Sequence, residues 1–178
     1  MQMKWKAKAW VILLLLGFVI GIFYENFAEV TTRISIFRRD VLYAYWNGGV
    51  DGSLRLWYVF RMRVIPMLVL GMLGSTTWRK QIAGLFLLWI GFLYGVLVTA
   101  AIAGLGMLGL VVFLVGLFPQ YLFYCLAYSV MISWMISGTA RKWNGTKKVF
   151  TIGMLLIGVL AELYINPIIM KKLVFMLV

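Results

Sequence analysis

Glu162 is the acidic residue with the most chemical consequence in this chain, because it falls inside an apolar run that otherwise extends from Val149 to Met170. A carboxylate in hydrocarbon costs several kcal/mol unless it is protonated, paired or hydrated. Two arrangements answer that cost. Either the apolar segment ends near Ala161 and Glu162 meets polar head groups, or Glu162 turns inward and bonds Gln120, Tyr124 or an Arg side chain at the same level. The chain contains no His, which removes Ser–His pairs, His-ligated zinc and His proton relays. Its single cysteine, Cys125, can form neither an intrachain disulfide nor a thiolate metal site, and reads as a small buried hydrophobe. No catalytic, cofactor-binding or metal-binding residue is therefore assigned, and neither a cofactor nor enzymatic activity is expected. The other chemical feature is Pro119-Gln120, in a long apolar run. Proline lacks an amide hydrogen and crowds the preceding turn, so a broken helix is expected there. Such a break exposes backbone carbonyls and, with Glu162 as the charge, supplies an alternative function: a small-solute or ion transporter or channel component.

The elements that must position these residues are membrane helices. Residues 81–140 contain no Lys, Arg, Asp or Glu, whereas the exposed positions of a water-soluble domain normally carry charge. About twenty apolar residues cross roughly 30 Å of hydrocarbon as a helix, so this run holds two crossings. Hydrophobic residues make up 64% of the chain and mean hydropathy is +0.99, far above a soluble domain. The net charge of +12 is spread in short clusters between apolar runs. That is how membrane flanks look, so the expected partners are anionic lipid head groups and not nucleic acid. The expected fold class is all-α: a polytopic integral membrane protein with about five transmembrane helices in one domain over residues 1–178.

The crossings are expected at 9–24, 64–78, 82–103, 110–138 and 149–170. The first reads as an uncleaved signal anchor. Lys4, Lys6 and Lys8 before it and Glu25 and Glu29 after it favour a cytoplasmic N-terminus. The second is short, with room to begin as early as Trp57 and to bend at Pro66. Gly104, Gly106 and Gly109 mark a break between the third and fourth. The interfacial, extracytoplasmic segment 25–63 carries Ile34, Phe37, Val41 and Tyr45 at helical spacing, then a glycine-rich turn, then a second helix with Arg55 and Trp57. It covers the bundle or, through Trp46, Arg55 and Trp57, meets a protein partner. Nine of the 17 basic residues fall on the cytoplasmic side of this topology, four of them in the compact loop Arg141–Lys148. Gly17/Gly21 and Gly91/Gly95, with the row Ser129/Ser133/Ser137, let helix backbones approach closely. Packing inside the bundle is the default for them, and a homo-oligomer contact the alternative.

With the crossings laid out, the chain resembles the stage II sporulation protein M family of bacterial membrane proteins. The likeness runs through Leu70-Gly71, Gly91-Phe92, Phe118-Pro119-Gln120-Tyr121-Leu122 and a final motif of Glu162, Tyr164 and Pro167. Departures are Leu87 or Leu88, where many members carry a charge, and Arg61 and Arg63, where relatives often carry Asn. The resemblance implies a five-crossing protein without enzymatic activity in the bacterial cytoplasmic membrane. It implies a scaffold that holds two cell-wall-degrading partners, the stage II sporulation proteins D and P, during forespore engulfment.

Overall fold

The computed structural model describes residues 2–27, 52–137 and 143–177. Among them every regular element is helical: α1 (Gln2–Phe27), α2 (Gly52–Val59), a π-helical turn π1 (Phe60–Val64), α3 (Ile65–Leu73), α4 (Arg79–Leu105), α5 (Met107–Leu117), α6 (Gln120–Ile136), α7 (Gly145–Leu160), a second π turn π2 (Ala161–Ile165) and α8 (Asn166–Leu177). Among the described residues four helical stretches are long and apolar enough to cross a membrane: Lys8–Phe27, Leu56–Leu73, Arg79–Leu105 and Gly145–Leu173. A fifth appears if α5 and α6, bent by 64° at Phe118-Pro119, count as one.

Two compact units divide these elements. The first holds α1, α4 from Ala83 onward and α5 as far as Phe113. Its helices meet through glycine. A Cβ on Gly17 would lie 2.1 Å from the Leu88 carbonyl oxygen, and one on Gly91 would lie 2.1 Å from that of Leu14. Gly21 and Gly95 repeat the arrangement one turn further on, against Phe92 and Phe18. Bare glycine lets two backbones touch where any side chain would hold them apart. Gly106, at φ 63°, turns the chain between α4 and α5, a left-handed conformation open to glycine at no steric cost. A Cβ on Gly109 would fall 1.9 Å from the Ala101 carbonyl, so α5 folds tightly against α4. The outer face of α1 stays apolar, with Val11, Leu15, Val19 and Phe23 all exposed.

The second unit holds α2, π1 and α3, the end of α5, and α6 through α8. Met131 and Trp134 of α6 lie against Gly71 and Gly74 at the end of α3, while Tyr128 reaches Arg63. Hence α3 and α6 run parallel. The antiparallel α7 packs along α6, with Gly158 under the Tyr124 ring. Helix limits depart from expectation at the second crossing. The helical path starts at Gly52 and stops at Leu73, where Gly74–Trp78 form turns, so Arg61 and Arg63 belong to the apolar stretch instead of flanking it. Expected features within 28–51, Trp46 among them, lie outside the described residues.

Candidate functional site

Each π turn ends two residues before a proline: Pro66 follows π1 and Ile65, and Pro167 follows π2 and Asn166. The physical sequence is the same twice. Proline cannot donate to the carbonyl four residues back, and its ring crowds that carbonyl. The preceding turn widens to i→i+5 pairing, with the Ile65 amide donating to the Phe60 carbonyl and the Asn166 amide to the Ala161 carbonyl. A π turn takes in one extra residue and re-aims the side chains upon it, and such turns recur at functional positions. Here π1 carries Arg63 and π2 carries Glu162, and the two face each other.

Arg63 Nε lies 3.1 Å from Glu162 Oε2 and Nη2 lies 3.1 Å from Oε1, a two-pronged ion pair. Nη1 donates to the Tyr121 hydroxyl at 3.1 Å, and the Tyr124 hydroxyl donates to Glu162 Oε2 at 2.7 Å. The Arg63 guanidinium carbon sits 5.0 Å from the Tyr121 ring centre and 5.2 Å from that of Tyr124, within cation–π range. The two rings meet edge to face at 6.0 Å. The Tyr128 hydroxyl donates to the Arg63 carbonyl at 3.1 Å. The charged side chains are 26% and 14% exposed, so both are mostly withdrawn from solvent. Removing two charges from water is costly, and this geometry offsets it with paired donors and aromatic faces on nearly every side.

Of the partners expected for an inward Glu162, Tyr124 and an Arg side chain are the ones found. Gln120 is not. It is 1% exposed as the first residue of α6, and its Nε2 donates to the Gly116 carbonyl at 2.5 Å, which helps close the break after Pro119. Gln120 Oε1, Thr151 Oγ1 and Asn166 Oδ1 are buried without a hydrogen-bond partner. Tyr164, 68% exposed, and Pro167 take no part in the pair beyond the proline's effect on its turn. Trp57 is 61% exposed and stacks on Phe60 at 6.0 Å, and Arg55 belongs to α2. Gly17, Gly21, Gly91 and Gly95 lie in the first unit, at the approach of α1 to α4.

Sequence reasoning missed Arg63 itself, Tyr121 and Tyr128 as members of the site. A signal was present: Tyr121, Tyr124 and Tyr128 recur at i, i+3 and i+7, one face of a helix. Among the described residues no three of His, Cys, Asp and Glu gather where they could hold a metal ion.

Fold and site together define an assembly of several apolar helices, with the part-buried Arg63–Glu162 ion pair joining helices of its second unit. A comparison of the chain with family models, curated proteins and solved structures finds no match.

Proposed function

We propose that the protein is a multi-pass scaffold of the bacterial cytoplasmic membrane, without catalytic machinery and with its N-terminus in the cytoplasm. It would act like the stage II sporulation protein M family that its sequence resembles, anchoring cell-wall-remodelling proteins such as the stage II sporulation proteins D and P during engulfment. One observation carries this reading: both Glu162 oxygens are engaged by Arg63, and Oε2 by Tyr124 as well. A carboxylate so committed holds helices together, where a proton carrier or a general base needs a free oxygen. Partners would meet the surface around exposed Trp57, with Arg55 beside it on α2 and Trp46 in the preceding segment. Exposed aromatics of this kind supply contact area. Replacing Trp46, Arg55 and Trp57 together with Ala is expected to reduce co-purification of the wall-remodelling partners while the protein still inserts. Unchanged co-purification refutes that surface.

The transporter or channel reading rests on the break at Pro119 and on the buried, unpaired amide oxygens of Gln120 and Asn166. Solute flux into liposomes that Gln120→Ala and Glu162→Gln abolish would establish it. Absence of flux with the wild type would remove it.

A further inference from the structure

Two buried amide oxygens of the second unit, Gln120 Oε1 and Asn166 Oδ1, have no hydrogen-bond partner. We propose that they face each other and, with the carbonyl end of α5, bind one monovalent alkali cation stripped of part of its water.

The juxtaposition follows from the contacts on either side. A Cβ on Gly116 would lie 3.5 Å from Met170 Sδ, and the Tyr124 hydroxyl bonds Glu162 Oε2 at 2.7 Å. Gln120 stands four residues after Gly116 and four before Tyr124, while Asn166 stands four after Glu162 and four before Met170. Residues four apart share one face of a helix. The path through α7, π2 and α8 runs antiparallel to α6, so Gln120 and Asn166 occupy the rung between those two contacts. Gln120 is 1% exposed, and its Nε2 donates to the Gly116 carbonyl at 2.5 Å. That bond fixes which end of the amide is the oxygen and leaves Oε1 as the atom to be satisfied.

What the rung offers is acceptors. Pro119 has no amide to give the Val115 carbonyl, in the peptide next to that of Gly116. A water bridging the two amide oxygens would spend both its hydrogens and turn its lone pairs toward the carbonyls of α5. A cation is satisfied by oxygens alone. Amide and backbone oxygens at broken helices are the ligands that replace the hydration shell of alkali ions. The set is neutral, which suits a single charge, whereas calcium and magnesium sites draw on carboxylates. Glu162, one turn away, is held by both prongs of Arg63, so that pair adds no net charge. The carboxyl end of α5 and the amino end of α6 meet at the break with opposite partial charges, so the side-chain oxygens set the sign of the site. A held ion goes beyond the scaffold reading, which needs none, and differs from transport, in which the ion passes on.

The test is equilibrium binding of radioactive sodium or rubidium to the full chain in mild detergent. It is paired with thermal unfolding followed by tryptophan fluorescence in sodium, potassium or choline chloride at one ionic strength. Wild type is expected to bind one ion per chain and to unfold at a midpoint that rises with sodium or potassium and not with choline. Asn166→Leu, which removes one ligand to a charge, is expected to weaken binding at least about tenfold and to flatten that rise. Gln120→Leu serves the same purpose if Asn166→Leu does not fold. Asn166→Asp puts a carboxylate on the same rung and is expected to bind more tightly than wild type, an outcome that a purely structural amide would not give. Thr151→Val removes another buried, unpartnered oxygen, eleven residues before Glu162 on α7, and is expected to leave ion binding unchanged. Equal midpoints in sodium, potassium and choline would make the occupant a water and overturn the proposal. So would binding retained by both leucine variants, binding by Asn166→Asp no tighter than by Asn166→Leu, or equal loss with Thr151→Val. None of these outcomes bears on co-purification of partners, so this proposal and the scaffold reading fail separately.

Discussion

Removing both partners of the Arg63–Glu162 pair should destabilise the second unit far less than the sum of removing each alone. In Arg63→Met the Glu162 carboxylate keeps the Tyr124 hydroxyl at 2.7 Å but loses both prongs of the guanidinium. In Glu162→Gln the guanidinium keeps Tyr121 and the two ring faces but loses its counter-charge. Stranding one charge of a buried pair costs about 3–5 kcal/mol. Helices unfolded in a micelle also find partners for their polar groups, so the lower end of that range, about 3 kcal/mol for each single change, is expected. In the double variant Arg63→Met/Glu162→Met no charge is stranded. What remains is two tyrosine hydroxyls without their partners, at about 1 kcal/mol each, set against the added apolar volume. The sum of the single changes, about 6 kcal/mol, should therefore exceed the double by at least about 2 kcal/mol. The assay is unfolding by dodecyl sulfate titration in mild detergent, followed by tryptophan fluorescence. Additive costs, or single changes each below about 0.5 kcal/mol, would refute the claim that this pair holds the helices.

Gly91→Val should separate α1 from α4, because its Cβ would meet the Leu14 carbonyl at 2.1 Å; cysteine cross-linking between the two helices should fall sharply. By contrast Gly153→Ala meets nothing within 4 Å and should stabilise α7 by up to about 1 kcal/mol in the same titration. Gly158→Ala would place a methyl 2.6 Å from the Tyr124 ring, pushing the hydroxyl off Glu162 at a cost of about 1–3 kcal/mol; adding Tyr124→Phe should then cost little more. Cys125 is exposed on α6, where an inserted helix would meet lipid, so a charged maleimide should leave it unmodified in intact membranes and label it after denaturation; rapid labelling in membranes would contradict insertion of α6.

What could be read from the chain and what could not divide along a physical line. The breaks at Gly106 and Pro119 were legible, because each follows from backbone chemistry local to one or two residues. The apolar helices were legible from composition alone. The second crossing was set to begin after Arg63, with room to start as early as Trp57, because Arg61 and Arg63 look like the polar flank of a membrane helix, and a charge reads as an end until its partner is known; the apolar helical stretch runs Leu56–Leu73. That partner lies 99 positions away, and no periodicity within either segment announces it. Ser129 and Ser137 looked like an interhelical row, yet both hydroxyls turn back to carbonyls of α6 itself. For serine this local bond is always within reach and competes with any partner across a helix interface.

The two prolines supply the missing link between those scales. Pro66 stands three residues after Arg63, and Pro167 five after Glu162. In a regular helix each residue turns the chain by about 100°, so the extra residue of a π turn swings the side chains before the proline by a comparable angle. The Tyr128 hydroxyl donates to the Arg63 carbonyl of the same turn. A proline thus sets, from about one turn away, where an otherwise unfavourable charge points. Opposite charges, each placed one turn or so before a proline in separate apolar segments, are for that reason a sequence pattern with a mechanism behind it. Here the mechanism brings Arg63 and Glu162 face to face, with the tyrosines of α6 closing the site around them.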